Sequence, residues 1–394
     1  MSSRLDYAAA TTTERPVQGR QSWWPPVLAW LGATSIVFGT CLAYHWSPFA
    51  AAATWAHEDG KHYLSIAGNG YTLYACGTRL NPVWCGNAGW FAGYPWIVGG
   101  LHLLGLPLAG TGVAVSWLAS LGTLIVLWRC FLADRPALAA GVALCYAALA
   151  PGLVYDYATF PLSMTNFCAV TAFALLHRRR PLAAGIAAAA AALAYPVGLA
   201  VAPASALWLL TRRGVAVRER LRQCGLVLAP FLAGLAVFAL VQRLSTGRWD
   251  AYLLEQQNYG HKLRDPLAAV ASAIQTLLHW PLLTHPSVAN LYNIAGAISL
   301  QALLVFTVIV LVLTELAVRR GASLHADMLI AMWAVLAWLL LYSTENVDTY
   351  RGEAALLPLA ILVRRLPWAL SIPITVIALC LVSPITHMYL LVLP

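Results

Sequence analysis

Charge is what this sequence has least of. Asp, Glu, Lys and Arg make up 10% of its 394 residues, hydrophobic residues make up 60%, and the mean hydropathy is +0.71. No aqueous globular fold could hide that apolar excess, so the bilayer is the expected solvent for most of the chain. Strict polar/apolar alternation is also missing, which excludes a membrane barrel. In lipid every backbone polar group must be paired within its own segment, and the long Ala/Leu/Val runs therefore read as helices. There is no CxxC pair and no Cys/His cluster, so the eight cysteines carry no zinc signature. There is no basic domain either: the net charge of +9 is spread over short clusters at helix ends, which speaks against a nucleic-acid partner. No repeat of about 20 to 50 residues is visible, which weakens a secondary-transporter reading. The first apolar run lacks a small-residue cleavage site followed by a soluble domain, so an uncleaved first helix behind a short cytoplasmic arm, residues 1–26, is expected.

What is present is a series of apolar windows, each about 20 residues long, from Val27 to Leu393. They predict an all-α polytopic membrane protein of ten or eleven spans forming one domain, residues 27–394. With the arm in the cytoplasm, 17 of the 24 basic residues fall on that side, among them Arg178 to Arg180, Arg212 to Arg222, Arg364 and Arg365. This satisfies the positive-inside rule. Outer segments are then 47–95, 151–160, 244–290 and 343–353, and nine of the 15 acids lie on that side. The stretch 96–129 is broken near Gly105-Leu106-Pro107; it is either one kinked helix or a short helix followed by a span. Cys76 and Cys85 share the first outer segment, where an oxidising compartment could join them.

Chemistry concentrates in that segment. It contains His57-Glu58-Asp59-Gly60-Lys61-His62, adjacent carboxylates flanked by Lys and two His, which can supply a general base tuned by its neighbours. An isolated Glu-Asp pair is more often a solvated turn. Here the context is fuller: Asp59, then Ile66-Ala67, Gly70-Tyr71, and Trp90-Phe91-Ala92-Gly93-Tyr94-Pro95 at the start of the next helix. This pattern resembles the family of the second mannosyltransferase of glycosylphosphatidylinositol synthesis and its bacterial relatives. Members have a Trp-Asp pair before an aromatic residue, Ile-Ala and Gly-Tyr, and a Phe-Phe-Pro-Leu-Tyr-Pro segment opening the next helix. Glu58 stands here in the Trp position, and Ala92 and Gly93 replace Pro and Leu. The family's later Pro-Glu-Ser core is similar to Phe160-Pro161-Leu162-Ser163, with Leu162 in place of the Glu; Asp156 on the same turn could take over part of its role.

The resemblance implies a GT-C fold with two long extracytoplasmic loops carrying short interfacial helices. It further implies a polyprenyl-phosphate sugar donor, most simply of mannose, a lipid-linked or cell-envelope glycan acceptor, and a catalytic acid in the first outer loop, with Asp59 as the match and Glu58 as the fallback. A bacterial inner (plasma) membrane with an extracytoplasmic active site is the corresponding location. An inverting transfer needs one base and groups that stabilise the departing lipid phosphate. Candidates for the phosphate are Lys61, Lys262, Arg264 and Arg351, the last beside Tyr350 in an Arg-Tyr-like element of reversed order. Headgroup contacts remain the competing reading for Lys262 and Arg264, and a rim salt bridge to Asp348 or Glu353 for Arg351. Gln256, Tyr259, His261, His62 and Tyr94 complete the candidate substrate contacts, against an aromatic belt as the alternative for the aromatic residues. No cofactor is required. His57, His62 and His261 leave a divalent metal open without defining a site. A transporter or lipid flippase and a non-catalytic subunit of a glycan-assembly complex are the competing functions.

The orientation is directly testable. Cysteines introduced near Gly77 or Tyr259 should be modified by an impermeant reagent added from outside, and one near Arg179 should be spared; the reverse pattern would overturn the placement of every candidate above.

Overall fold

In a computed structural model, residues 22–57, 59–77, 83–133, 135–259, 263–279, 289–319, 325–344 and 349–391 are described. Helix α1 is Trp24–Ala43, opened by Pro25 and Pro26, whose missing N–H groups cost nothing in a first turn. A first long connection follows, with α2 (Ala51–Trp55) and α3 (Gly60–Asn69). It also holds a two-stranded antiparallel ribbon, β1 (Leu73–Ala75) and β2 (Trp84–Gly86), in register Leu73↔Gly86 and Ala75↔Trp84. Cys76 and Cys85 form a disulfide that clasps this ribbon, their Cα atoms 5.9 Å apart.

The stretch 96–129 is a short helix and then a span. Helix α4 (Gly93–His102) stops at a turn through Gly105, at φ 89°, and Pro107 sits extended at the start of α5 (Leu108–Leu127), which runs into a π-turn at Trp128–Leu132. Pro cannot continue the preceding helix, and the positive φ is easily reached by Gly. The chain then builds α6 (Ala137–Ala148), a 3₁₀ turn (Leu153–Asp156), α7 (Leu162–His177), α8 (Pro181–Ala194), a second 3₁₀ segment (Pro196–Ala200) and α9 (Val201–Leu210). Next come α10 (Val217–Thr246), α11 (Ala251–Asn258), α12 (Pro266–Leu278), α13 (Ala289–Val318) and α14 (His325–Ser343). A continuous short-helical run closes the core, α15 (Thr349–Gly352), 3₁₀ Glu353–Leu359 and α16 (Ala360–Val363), before α17 (Trp368–Leu391).

Among the described residues five helices, α1, α5, α10, α13 and α17, are long and apolar enough to cross a membrane by length and composition, and six shorter apolar helices accompany them. Large apolar side chains such as Leu118, Leu232, Val237 and Val376 remain exposed on them, as expected of surfaces that meet lipid. This predominantly helical architecture is consistent with the all-α membrane class. Between helices, close approach replaces the hydrophobic effect. A Cβ on Gly185 of α8 would lie 2.6 Å from the Val227 carbonyl of α10, so the Ala-rich α8 can press its backbone directly on its neighbour.

Non-reducing peptide mapping of protein from oxidised membranes should recover the Cys76 and Cys85 peptides cross-linked. Recovery of both as free thiols would remove the clasp from the native protein.

Candidate functional site

Asp59 occupies the N-cap position of α3, yet its side chain caps nothing. Its Oδ2 instead accepts a hydrogen bond of 2.8 Å from Nη1 of Arg351, 292 residues away in sequence. The arginine side chain is 6% exposed and the aspartate 33%, so a buried guanidinium presents a carboxylate that still reaches solvent. Local packing explains the position of each. Thr159 donates through its backbone N and its Oγ1 to the Trp55 carbonyl, both at 2.9 Å. Gly60 lies hard against that threonine, where a Cβ would come within 2.5 Å of Oγ1. On the other side, Gln301 Nε2 donates to the Tyr350 carbonyl at 2.7 Å and the Tyr155 hydroxyl to that of Tyr350 at 2.9 Å. Asn166 Nδ2 donates to the Ala354 carbonyl at 2.8 Å. Arg351 is therefore carried by a segment pinned from three helical elements. Beneath the ion pair, burial and then the Asp59 carboxylate push the Tyr63 hydroxyl up, with Arg351 opposing them.

A second layer joins the two long connections. Gly89 N donates to Glu255 Oε2 at 3.0 Å, Gln256 Nε2 to the Gly89 carbonyl at 2.6 Å, Gln242 Nε2 to the Ala88 carbonyl at 2.7 Å and the Tyr71 hydroxyl to the Trp90 carbonyl at 2.9 Å. The segment so held carries Trp90, on which the His62 ring stacks at 3.7 Å, with Tyr259 against the indole at 5.6 Å. Burial keeps the His62 imidazole below its usual range, opposed by Asp59 and reinforced by Lys61. Burial pushes Glu255 up to about 6, while the N–H groups of Gly89 and Ala88 pull it down.

The candidates thus separate. Asp59, Tyr350 and Arg351 meet directly, and His62 and Tyr259 meet on Trp90. Lys61 is exposed on α3. Arg264 has an exposed side chain, and its backbone N donates to the Ser343 carbonyl at 2.9 Å, tying the second long connection to the end of α14. Gln256 spends its amide on Gly89, and Tyr94 is fully buried with its hydroxyl donated to the Gly112 carbonyl at 2.8 Å. Asp156 is 1% exposed, its Oδ1 has no hydrogen-bond partner, and burial pushes it up to about 8. Glu58, His261 and Lys262 lie outside the described residues, as does Asp348. Glu353, the other expected partner of Arg351, is buried and accepts from the Tyr342 hydroxyl instead. Among the described residues no three His, Cys, Asp or Glu side chains converge as metal ligands.

Compared with known proteins, the chain matches no family model and no curated sequence. The likeness described above rests chiefly on the residues of the first long connection, with Phe160 to Ser163 and Tyr350-Arg351 added to it.

Sequence reasoning passed over one of these groups and one pairing. Glu255 sat unremarked in a polar run; only docking of α11 on the Ala88–Trp90 segment makes it a buried carboxylate. The partnership of Asp59 with Arg351 spans nearly the whole chain, and no local spacing encodes it.

Asp156 gives a stability prediction. Its folded-state value lies above that of the unfolded chain, so the folded protein binds the extra proton and stability falls as pH rises. Wild-type unfolding temperature in detergent should decline from about pH 4 to about pH 8, and Asp156→Asn should flatten that decline. An unchanged slope in the variant would show that Asp156 does not titrate in this window.

Proposed function

We propose that the chain is a membrane glycosyltransferase of GT-C type. It transfers a sugar, most simply mannose, from a polyprenyl-phosphate donor to a lipid-linked or cell-envelope glycan acceptor on the extracytoplasmic face of a bacterial plasma membrane. The observation that carries this reading is the partly exposed Asp59 held by the buried Arg351, in the segment whose residues resemble the mannosyltransferase family. A carboxylate fixed in one direction and open on the other is what a general base needs.

In the inverting transfer the acceptor hydroxyl oxygen bonds to the anomeric carbon as the bond from that carbon to the phosphate oxygen breaks. The hydroxyl proton goes to Asp59 and the bonding pair leaves with the lipid phosphate. Inversion puts acceptor and phosphate on opposite sides of the anomeric carbon. Arg351, committed to Asp59 at 2.8 Å, then orients the base, and the phosphate falls to exposed cations, Lys61 and Arg264. His62, Trp90 and Tyr259 form an aromatic wall beside α3 suited to sugar faces. A second reading, a transporter or lipid flippase, is favoured by the buried carboxylates of Asp156 and Glu353, because acids buried in a bundle interior commonly mark ion paths.

A transfer assay on purified protein with polyprenyl-phosphate-linked sugars separates the two. Losing a positioned base costs about 10²- to 10⁴-fold in rate, so Asp59→Asn should lose that much turnover while donor binding and folding persist. Near-normal turnover there, with a dead Glu58→Gln, moves the role one residue upstream; full activity in both variants sinks the catalytic reading.

A further inference from the structure

The run from Thr349 to Val363 is followed directly by a second charged cluster, thirteen residues beyond Arg351 in sequence. There Arg364 Nη2 and Arg365 Nε contact the two carboxylate oxygens of Asp327, at 2.5 and 2.6 Å. Arg364 and Asp327 are almost wholly buried, while Arg365 is 14% exposed. The positive charge of Arg135, which precedes α6, also acts on Arg364. Two guanidinium groups thus hold one carboxylate, with the charge of Arg135 near enough to act on one of them.

An apolar groove of about 320 Å³ opens between the two helices that start just after these arginines. Its walls are Ala137, Leu138 and Gly141 of α6 and Ile372, Thr375 and Val376 of α17. Leu138, Ile372 and Val376 are exposed, so the groove faces outward from the bundle. No neighbouring atom lies within 4 Å of a Cβ built on Gly141; the groove is open at its middle.

We propose that this groove is a binding site for one anionic phospholipid, its phosphate at the Arg135 and Arg365 edge of the cluster and an acyl chain lying along α6 and α17. Charge complementarity selects the headgroup, since guanidinium groups pair well with phosphate oxygens. The apolar walls select a hydrocarbon chain, and the start of α6 two residues after Arg135 and of α17 three residues after Arg365 fits a molecule with both parts. The site is independent of the sugar-transfer reading, because it lies at the opposite end of the segment that carries Arg351.

The test is native mass spectrometry of the full chain released from nanodiscs of phosphatidylglycerol and phosphatidylcholine mixed in equal parts, with inorganic phosphate added in a parallel arm. Wild type should retain phosphatidylglycerol in preference to phosphatidylcholine. One arginine near a membrane surface contributes about a five-fold preference for anionic lipid, so Arg135→Gln should cut the preference by about that factor. Gly141→Leu should reduce retention of the lipid without lowering the unfolding temperature in lipid-free detergent, because its side chain enters open space. Equal retention of the two lipids, or retention unchanged in both variants, would overturn the proposal. So would loss of the phosphatidylglycerol preference on adding millimolar inorganic phosphate with the Gly141→Leu variant behaving as wild type, which would mark a small-anion site only.

Discussion

A guanidinium taken almost wholly out of water must find an anion, and Arg351 finds Asp59. Removing one partner of a buried ion pair typically costs about 3 to 5 kcal/mol; the figure is smaller here because a third of the aspartate side chain remains in solvent. This requirement fixes the relation between α3 and α15, two short helices from opposite ends of the chain. Around it the other contacts make sense. Gln301, Tyr155 and Asn166 hold the segment that brings the arginine, and the Trp55–Thr159 hydrogen bonds hold the turn that brings the aspartate. Gly60 is required at the junction because no Cβ fits beside Thr159.

The helices were legible from hydropathy because the bilayer imposes one rule on every spanning segment. Of the ten or eleven expected spans, five coincide, among the described residues, with helices of membrane-crossing length, whereas the apolar runs at α6, α7 and α14 form shorter helices. The choice left open at 96–129 was settled by Pro107 and Gly105, which end α4 and start α5 as separate helices. The short ribbon of β1 and β2 was not legible: three-residue strands carry too little alternation, and only the spacing of Cys76 and Cys85 hinted at a hairpin. Asp59 and Arg351 were each visible as charges beside apolar runs, but their union was not. Arg351 was read as a phosphate partner or, in the competing reading, as a rim partner of Asp348 or Glu353; the fold turns Glu353 inward to Tyr342 and sends the arginine across to the first long connection.

Two kinds of buried acid now need different explanations. Asp327 is paired with two arginines and serves as the counter-charge of a cluster. Asp156 has an oxygen without a hydrogen-bond partner, and burial pushes it up to about 8, so near neutral pH it carries a proton much of the time. A neutral carboxylic acid costs far less to bury than a carboxylate, which makes its position tolerable. Asp156 also sits out of reach of a bulky acceptor, being only 1% exposed. Asp59 differs in both respects: a guanidinium faces it and solvent reaches it. In the proposed transfer the role of proton acceptor therefore goes to the acid in the first long connection, and Asp156 is left as a buried group whose charge state follows pH.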